Sequence, residues 1–188
     1  MFNVKVKFPN ILAILFPLSI YFTIIVAILN APWFDFYDNA LSDLGVHEGS
    51  ALIFNTGIFL SGLIYGFYGL MKLKSAKNMI DKTGRVILLI AGVSLALVGV
   101  FPKNIKPFHT IFAWGFFILF PIGAVMTSIK ARDKDKAYWF LAMISLITFL
   151  LVITFPWKAV NVTGLAIPEL VASTPYVLWH LYEFLKQK

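Results

Sequence analysis

The sequence predicts an all-α protein, a polytopic transmembrane bundle of six helices that forms a single domain over residues 1–188, with both termini cytoplasmic. Three observations lead there: the composition, six long apolar segments, and the uneven placement of lysine and arginine. Of the 188 residues, 60% are hydrophobic and only 13% are charged, and the mean hydropathy is +0.84. Soluble domains are closer to half apolar and a quarter charged, so lipid is the solvent that fits this chain.

Six segments are long and apolar enough to cross a bilayer, which takes about 20 residues of helix. The first is expected to be a retained span, because its apolar run is too long for a cleaved signal peptide. The third is the shortest and is expected to begin at Arg85, whose side chain would snorkel to the interface. The segments are 11–29, 51–71, 85–101, 108–129, 137–155 and 163–185.

The basic residues give the orientation. Of 16 lysines and arginines, only Lys103, Lys106 and Lys158 lie on one side of the six segments. The others, including Lys5, Lys7, Lys186 and Lys188, lie at the termini and in the second and fourth connections. Basic residues collect in cytoplasmic loops, which is known as the positive-inside rule. The rule predicts that the termini and the second and fourth connections lie inside, and that the other three connections lie outside.

The net charge and the absence of cysteine limit the kinds of partner and cofactor that the protein is expected to bind. The net charge of +7 is what cytoplasmic loops ordinarily confer on a membrane protein, so we predict contact with the lipid bilayer and no binding of nucleic acid. The absence of cysteine excludes disulfides and thiolate metal sites. We expect a multi-pass protein of the cell membrane; the sequence assigns no cofactor and no metal.

The first outer connection, residues 30–50, is the longest, and it is acidic and aromatic. It carries four acids, no lysine or arginine, and the interleaved aromatic residues Trp33, Phe34, Phe36 and Tyr37. Aromatic side chains at this level are typical of a segment lying along the membrane surface. We predict a short interfacial helix over residues 39–44 that ends at Gly45.

Small residues and prolines predict how the helices pack. Gly62 and Gly66 form a Gly-x-x-x-Gly step, which lets two helix backbones approach closely. Packing within the chain is the favoured interpretation, and a homo- or hetero-oligomer through the same residues is the alternative. Pro168 and Pro175 lie on either side of Glu169, and each is expected to free a backbone carbonyl in the last segment.

The polar residues near the outer surface form the candidate site. Glu169 is the clearest, because an ionisable residue inside a membrane segment is usually functional. His109 opens the fourth segment, and helix rise brings residues from several segments to a similar level. His180 lies deeper, and with Trp179 and Tyr182 it is interpreted as part of an inner aromatic belt. The candidate binding residues are Ser42, Asp43, Asn55, His109, Asn161 and Glu169.

Residues 39–45, with the sequence Asn-Ala-Leu-Ser-Asp-Leu-Gly, resemble the signature of an uncharacterised family of six-span prokaryotic membrane proteins. In that family a Phe-Pro motif follows the third span, a His opens the fourth, and a Glu lies near the start of the sixth. The matching residues here are Phe101, Pro102, His109 and Glu169. Lys103 and Asn104 stand where many members have an acid, and Leu170 stands where many have an arginine. The resemblance implies no established activity.

Three functions remain open at this point. The first is transport or binding, in which an outward-facing polar cavity takes a cation, a proton or a lipid headgroup. The second is a membrane-embedded lipid hydrolase or transferase, with His109 as general base and Asp43 or Glu169 orienting it, or with these three residues holding a divalent metal. The third is an accessory subunit without chemistry. Whether the protein is an enzyme is left undecided by the sequence.

Overall fold

The computed structural model describes residues 8–186, with the side chain of Asn10 excepted. This part of the chain is helical and contains no β-strand, as predicted. Lys5, Lys7 and Lys188, which entered the charge count, lie outside the described residues. The helices are α1 (Phe8–Leu29), α2 (Ala51–Leu73), α3 (Met79–Val100), α4 (Phe108–Ser128), α5 (Lys136–Thr154) and α6 (Ala166–Leu185), with short 3-10 helices at Leu41–Gly45, Ile129–Ala131 and Trp157–Val160.

Five of these helices, α1 to α5, are long and apolar enough to cross a membrane, whereas α6 is too polar to meet that criterion. Their outward faces expose large apolar side chains, such as Phe22, Leu52 and Leu151, which are 69%, 80% and 62% accessible. Such faces suit lipid and would be costly in water. The protein is therefore an integral membrane protein by the character of its helices.

Helices that follow one another in the chain pack side by side, and α6 closes the bundle against α5, α1 and α4. We call one end of the bundle the loop end. It carries the first loop, residues 30–50, and the α3–α4 and α5–α6 connections. We call the other end the basic end, because the α2–α3 and α4–α5 connections, together with the helix turns that adjoin them, hold nine of the 16 lysines and arginines.

The contact between α2 and α3 depends on glycine. A Cβ at Gly62 would lie 2.1 Å from the backbone nitrogen of Ala96, and one at Gly92 would lie 2.6 Å from that of Gly66. Neither position can hold a side chain without separating the helices. Gly62 and Gly66 therefore both lie at the contact between α2 and α3.

Two helix starts differ from the sequence-based expectation. α3 begins at Met79 rather than at Arg85, because the side chain of Asn78 caps it. Arg85 lies within the helix, where its Nε forms an ion pair with Oδ1 of Asp81 at 2.6 Å. α6 begins at Ala166, so Pro168 falls in its first turn, where backbone amides have no helical partner in any case. The helix is therefore not broken at Pro168, and Glu169 lies in its first turn rather than deep inside it.

Candidate functional site

The polar residues at the loop end surround the 3-10 helix Leu41–Gly45. This segment replaces the interfacial helix expected over residues 39–44, and it is tightly packed, since Leu41, Leu44 and Gly45 are buried. One oxygen of Asp43 accepts a hydrogen bond from the Ala40 amide at 2.7 Å, which stabilises its first turn. Asp43 is thus fixed by the segment to which it belongs.

Glu169 reaches this segment from α6. Its Oε2 accepts a hydrogen bond from the Leu41 amide at 2.8 Å. The first loop also contacts the start of α6 through its backbone, because the Ala166 amide donates to the Asn39 carbonyl at 2.9 Å. A Cβ on Gly164 would lie 2.2 Å from that same carbonyl oxygen, so only glycine allows this approach. Glu169 therefore ties the first loop to α6.

Lys103 brings a positive charge to the same place. Its Nζ lies 2.5 Å from Oδ1 of Asp43, with side-chain exposures of 37% and 20% respectively. His109 is buried, and its Nδ1–H donates to the Phe101 carbonyl at 2.8 Å, which leaves Nε2 as the nitrogen with a lone pair. Asp43 and Lys103 both lie close enough to act electrostatically on His109 and on Glu169.

The remaining candidates are less central. The Asn55 amide donates to the Gly45 carbonyl at 2.8 Å and so holds the end of the 3-10 helix. Ser42 is partly buried, and its hydroxyl has no hydrogen bond to another residue within 8–186. Asn161 is exposed and adopts a left-handed conformation, with φ at 61°, where it ends the 3-10 helix Trp157–Val160. Asn161 therefore shapes a loop and stands apart from the charged group.

Four ionisable residues lie together at the loop end. Asp43, Lys103, His109 and Glu169 form one electrostatic group, which we call the loop-end cluster. Glu169 is held by a backbone amide and by the charge of Lys103 rather than by His109. Within residues 8–186 no three histidine, aspartate or glutamate side chains are grouped as metal ligands, so the metal-hydrolase alternative finds no ligand set there.

A second polar group, which was not predicted from the sequence, lies at the basic end. Glu183, in the last turns of α6, accepts a hydrogen bond from the hydroxyl of Tyr68 and forms an ion pair with Lys72 at 2.8 Å. The Lys72 and Glu183 side chains are only 17% and 14% exposed. Lys72 and Glu183 are 111 residues apart in the chain, so no local sequence pattern indicates the pair.

His180 is a correction to the sequence-based interpretation. It is not part of an inner interfacial belt, because His180 is fully buried and Trp179 is 1% exposed. The belt pattern was misleading because α6 turns this face toward the other helices rather than toward the interface. Five aromatic rings surround the imidazole, with centroids 4.9 to 5.5 Å away: Phe16, Tyr65, Tyr68, Phe120 and Trp179.

Comparison with known proteins gives one match. A family model described as "Protein of unknown function (DUF998)" matches residues 13–182, which is most of the chain. No curated protein matches, and no solved structure matches. The match agrees with the resemblance to an uncharacterised family, and it extends across all six helices.

Proposed function

The chain belongs to the DUF998 family of proteins of unknown function, and from this premise we propose that it crosses the membrane six times and binds a zwitterionic phospholipid headgroup at its loop end. The proposal has three parts. α6 is the sixth span, the loop end faces outward, and the loop-end cluster recognises the headgroup.

The length and the end contacts of α6 support the sixth span. Its 20 residues extend about 30 Å, the thickness of the hydrocarbon core. Glu169 contacts Leu41 at the loop end, and Glu183 contacts Lys72 at the basic end, so α6 runs between the same two levels as α2. Tyr176, His180 and Glu183 of α6 are turned toward other helices of the bundle, which is where membrane helices carry polar residues.

The basic residues support the orientation, and labelling tests it. Glu48 and Ser75 are exposed in the first loop and in the α2–α3 connection, and the natural chain has no cysteine to interfere. In intact cells, a membrane-impermeant thiol reagent should label the Glu48→Cys variant, and should label Ser75→Cys only after permeabilisation. Labelling in the reverse order would overturn the orientation, and labelling of both in intact cells would show that α2 does not cross.

One observation carries the headgroup proposal: the partly exposed ion pair of Lys103 and Asp43 lies beside further polar atoms that have no protein partner. A lysine ammonium has three donors, and Lys103 uses one of them on Asp43. Neither Oε1 of Glu169 nor Nε2 of His109 has a hydrogen bond to another residue of the described chain. A phosphate complements the ammonium of Lys103, and an ammonium complements the two carboxylates.

The aromatic surroundings support a position of this group at the depth of lipid headgroups. Trp33, Phe36 and Tyr37 are 37%, 39% and 55% exposed on the first loop, and Phe108 is 48% exposed at the start of α4. Tryptophan and tyrosine at such a level anchor a protein at the membrane–water interface. A headgroup in the same layer would reach Lys103 without leaving the bilayer.

A titration with two short-chain lipids tests this function. The purified protein in detergent is titrated with phosphatidylethanolamine or phosphatidylglycerol, and NMR shifts of the His109 ring report binding. Lys103→Met should weaken binding of both lipids at least tenfold, and Asp43→Asn should weaken binding of phosphatidylethanolamine only. Lys158→Met is the matched control, because Lys158 is an exposed lysine of another loop-end connection.

The outcomes of this titration separate the alternatives. If Lys103→Met binds both lipids as Lys158→Met does, the headgroup site is wrong and an accessory role gains support. If the two lipids bind equally and Asp43→Asn changes neither, recognition is of phosphate alone and the zwitterionic part fails.

Catalysis is the second candidate, and one observation favours it. The hydrogen bond from Nδ1 of His109 to the Phe101 carbonyl, at 2.8 Å, fixes the tautomer in which Nε2 is basic, as a general base requires. His109→Gln should then abolish turnover of a bound lipid while leaving its affinity unchanged. Absence of turnover in the natural protein would exclude this candidate.

A further inference from the structure

His180 of α6 lies in the bundle interior, surrounded by aromatic rings. The residue is fully buried, and neither ring nitrogen has a hydrogen-bond partner. Two neighbours share this condition, because the hydroxyl of Tyr65 and the indole N–H of Trp179 are also buried without partners. Buried polar atoms are almost always bonded, so three such residues in contact indicate a site rather than ordinary packing.

The five surrounding rings can offer electron-rich faces to a protonated imidazole. All five stand at 66° to 87° to the His180 ring, in edge-to-face arrangements. Aromatic faces are electron-rich and attract N–H groups and cations. Imidazolium presents two N–H donors to such faces, whereas a neutral imidazole presents a lone pair that they repel.

Charged groups reach His180 from two helices. Glu183 lies three residues further along α6, and therefore on the same face, while α2 contributes Lys72, whose charge opposes that of Glu183. The other titratable groups nearby are tyrosines. Tyr65 and Tyr68 of α2 contact the His180 ring, whereas Tyr138 of α5 and Tyr176 of α6 contact the neighbouring rings of Trp179 and Phe120. On α3, Asp81 and Arg85 are paired with each other, and α1 and α4 contribute the rings of Phe16 and Phe120.

A small cavity lies between the basic end and the ring cage, lined in part by Tyr68 and Trp179 of the cage. This cavity of about 10 Å³ also lies beside Lys72, Arg85, Tyr138 and Glu183, and it has room for about one water molecule. The hydroxyl of Tyr68 donates to Glu183, and the Tyr68 ring contacts His180, with centroids 5.3 Å apart. Glu183 and Tyr68 therefore connect the basic end to the ring cage, through one hydrogen bond and one ring contact.

We propose that His180 is a proton-binding site inside the bundle, with Glu183 as its counter-charge and with proton access from the basic end. In the binding step a hydronium ion arriving from the basic end gives its proton to the unprotonated nitrogen of the imidazole. An N–H bond forms, an O–H bond breaks, and a water molecule leaves with the electron pair. This site is independent of the loop-end function, since its residues lie at the other end of α6.

Histidine NMR on the full chain in nanodiscs tests the proposal. The chain has three histidines, and ¹⁵N shifts of their rings distinguish the neutral tautomers from imidazolium. His180 should pass from neutral to imidazolium as the pH is lowered while the protein stays folded. The exposed His47 of the first loop serves as the reference in the same spectra.

Two charge variants should move this transition in opposite directions. Glu183→Gln should lower the pH of half-protonation by about one unit, because it removes a nearby negative charge. Lys72→Gln should raise it by a similar amount. Glu48→Gln, at the loop end, is the matched control and should leave His180 unchanged.

Two results would overturn the proposal, and a replacement variant is available if Glu183→Gln does not fold. The proposal is overturned if His180 stays neutral over the whole pH range in which the protein is folded. It is also overturned if neither charge variant moves the transition, even though His47 titrates normally. If Glu183→Gln does not fold, Tyr68→Phe replaces it. Tyr68→Phe removes the hydroxyl that donates a hydrogen bond to Glu183. The negative charge of Glu183 is then less neutralised, so His180 should become protonated at a higher pH.

Discussion

The two ends of the bundle use polar side chains differently. At the loop end, Glu169, Asn55 and His109 bond to backbone groups of the connecting segments. At the basic end, side chains bond to other side chains across helices, as Glu183 does with Lys72 and Tyr68. The first pattern shapes a loop, and the second holds helices together.

This difference follows from what each end must satisfy. The first loop has backbone groups with no helical partner, and side chains from two helices satisfy them: Glu169 of α6 accepts from the Leu41 amide, and Asn55 of α2 donates to the Gly45 carbonyl. The α2–α3 connection at the basic end is short, so helices themselves meet there and their charges must pair. We therefore expect substitutions at the basic end to destabilise the whole bundle and those at the loop end to act locally.

The largest effect should come from breaking the pair between Glu183 and Lys72. Glu183→Ala leaves Lys72 without its counter-charge in a poorly solvated place, which should cost about 3 kcal/mol of unfolding free energy. The measurement is unfolding by SDS in mixed micelles. The double variant Lys72→Met, Glu183→Leu should recover most of the loss, because no unpaired charge remains.

Arg132→Ala is the control for this comparison. Arg132 forms an ion pair with Asp133, but their side chains are 64% and 87% exposed, and exposed pairs contribute little. Equal losses for Glu183→Ala and Arg132→Ala would mean that the pair at the basic end does not hold the helices.

An intermediate and local effect is expected at Glu169. Glu169→Ala removes the acceptor for the Leu41 amide, and leaving a buried donor unsatisfied costs about 1–3 kcal/mol. Hydrogen exchange at Leu41 should accelerate strongly, while amides at the basic end keep their protection. Glu169→Gln retains an uncharged acceptor and should show a smaller change. A uniform rise in exchange over the whole bundle would contradict the local role.

Composition and apolar segment length were enough to predict the helices. Five of the six expected segments start within a few residues of the observed helix, because a run of apolar residues has few alternatives in lipid. The start of α3 was missed because Asp81, Lys82 and Arg85 made that stretch look like a loop. Those charges are acceptable in a helix once Arg85 pairs with Asp81 and donates to the Lys72 carbonyl, at 2.9 Å.

Site residues could be predicted only where the residue type alone indicated a special role, as an acid does in an apolar segment. Glu169 and Asp43 stood out as acids in or near apolar segments, and both proved to contact the same 3-10 helix. Lys103 was noted in the charge count and as a departure from the family pattern, but not as a site residue, although it pairs with Asp43. The cage of His180 draws on four helices, and sequence spacing within α6 carries no information about the other three.

The smallest effect, and the one that depends on pH, is expected at Asp135. This residue caps α5 by accepting from the Tyr138 amide at 3.2 Å, and it also accepts from Tyr182 and pairs with Lys186. Burial acts to raise the pKa of Asp135, but the hydrogen bonds from Lys186 and Tyr182 outweigh it, so the pKa lies below its ordinary value of 3.8. The charged form is thus the one that the folded state favours.

The sign of the pH dependence follows from that lowered pKa. The contribution of Asp135 is fully present above its unfolded pKa, and it is lost as the pH falls through the lower, folded pKa. Thermal midpoints in detergent, measured between pH 3 and pH 7, should therefore drop less steeply with acid in Asp135→Asn than in the natural protein. Asp135→Ala should cost about 1 kcal/mol more than Asp135→Asn, because asparagine still caps the helix. Asp133→Asn is the matched control, since Asp133 is exposed and caps nothing. If Asp135→Asn and Asp133→Asn show the same acid sensitivity as the natural protein, Asp135 does not hold the end of α6 to α5, and side-chain pairing at the basic end depends on the α2 contacts alone.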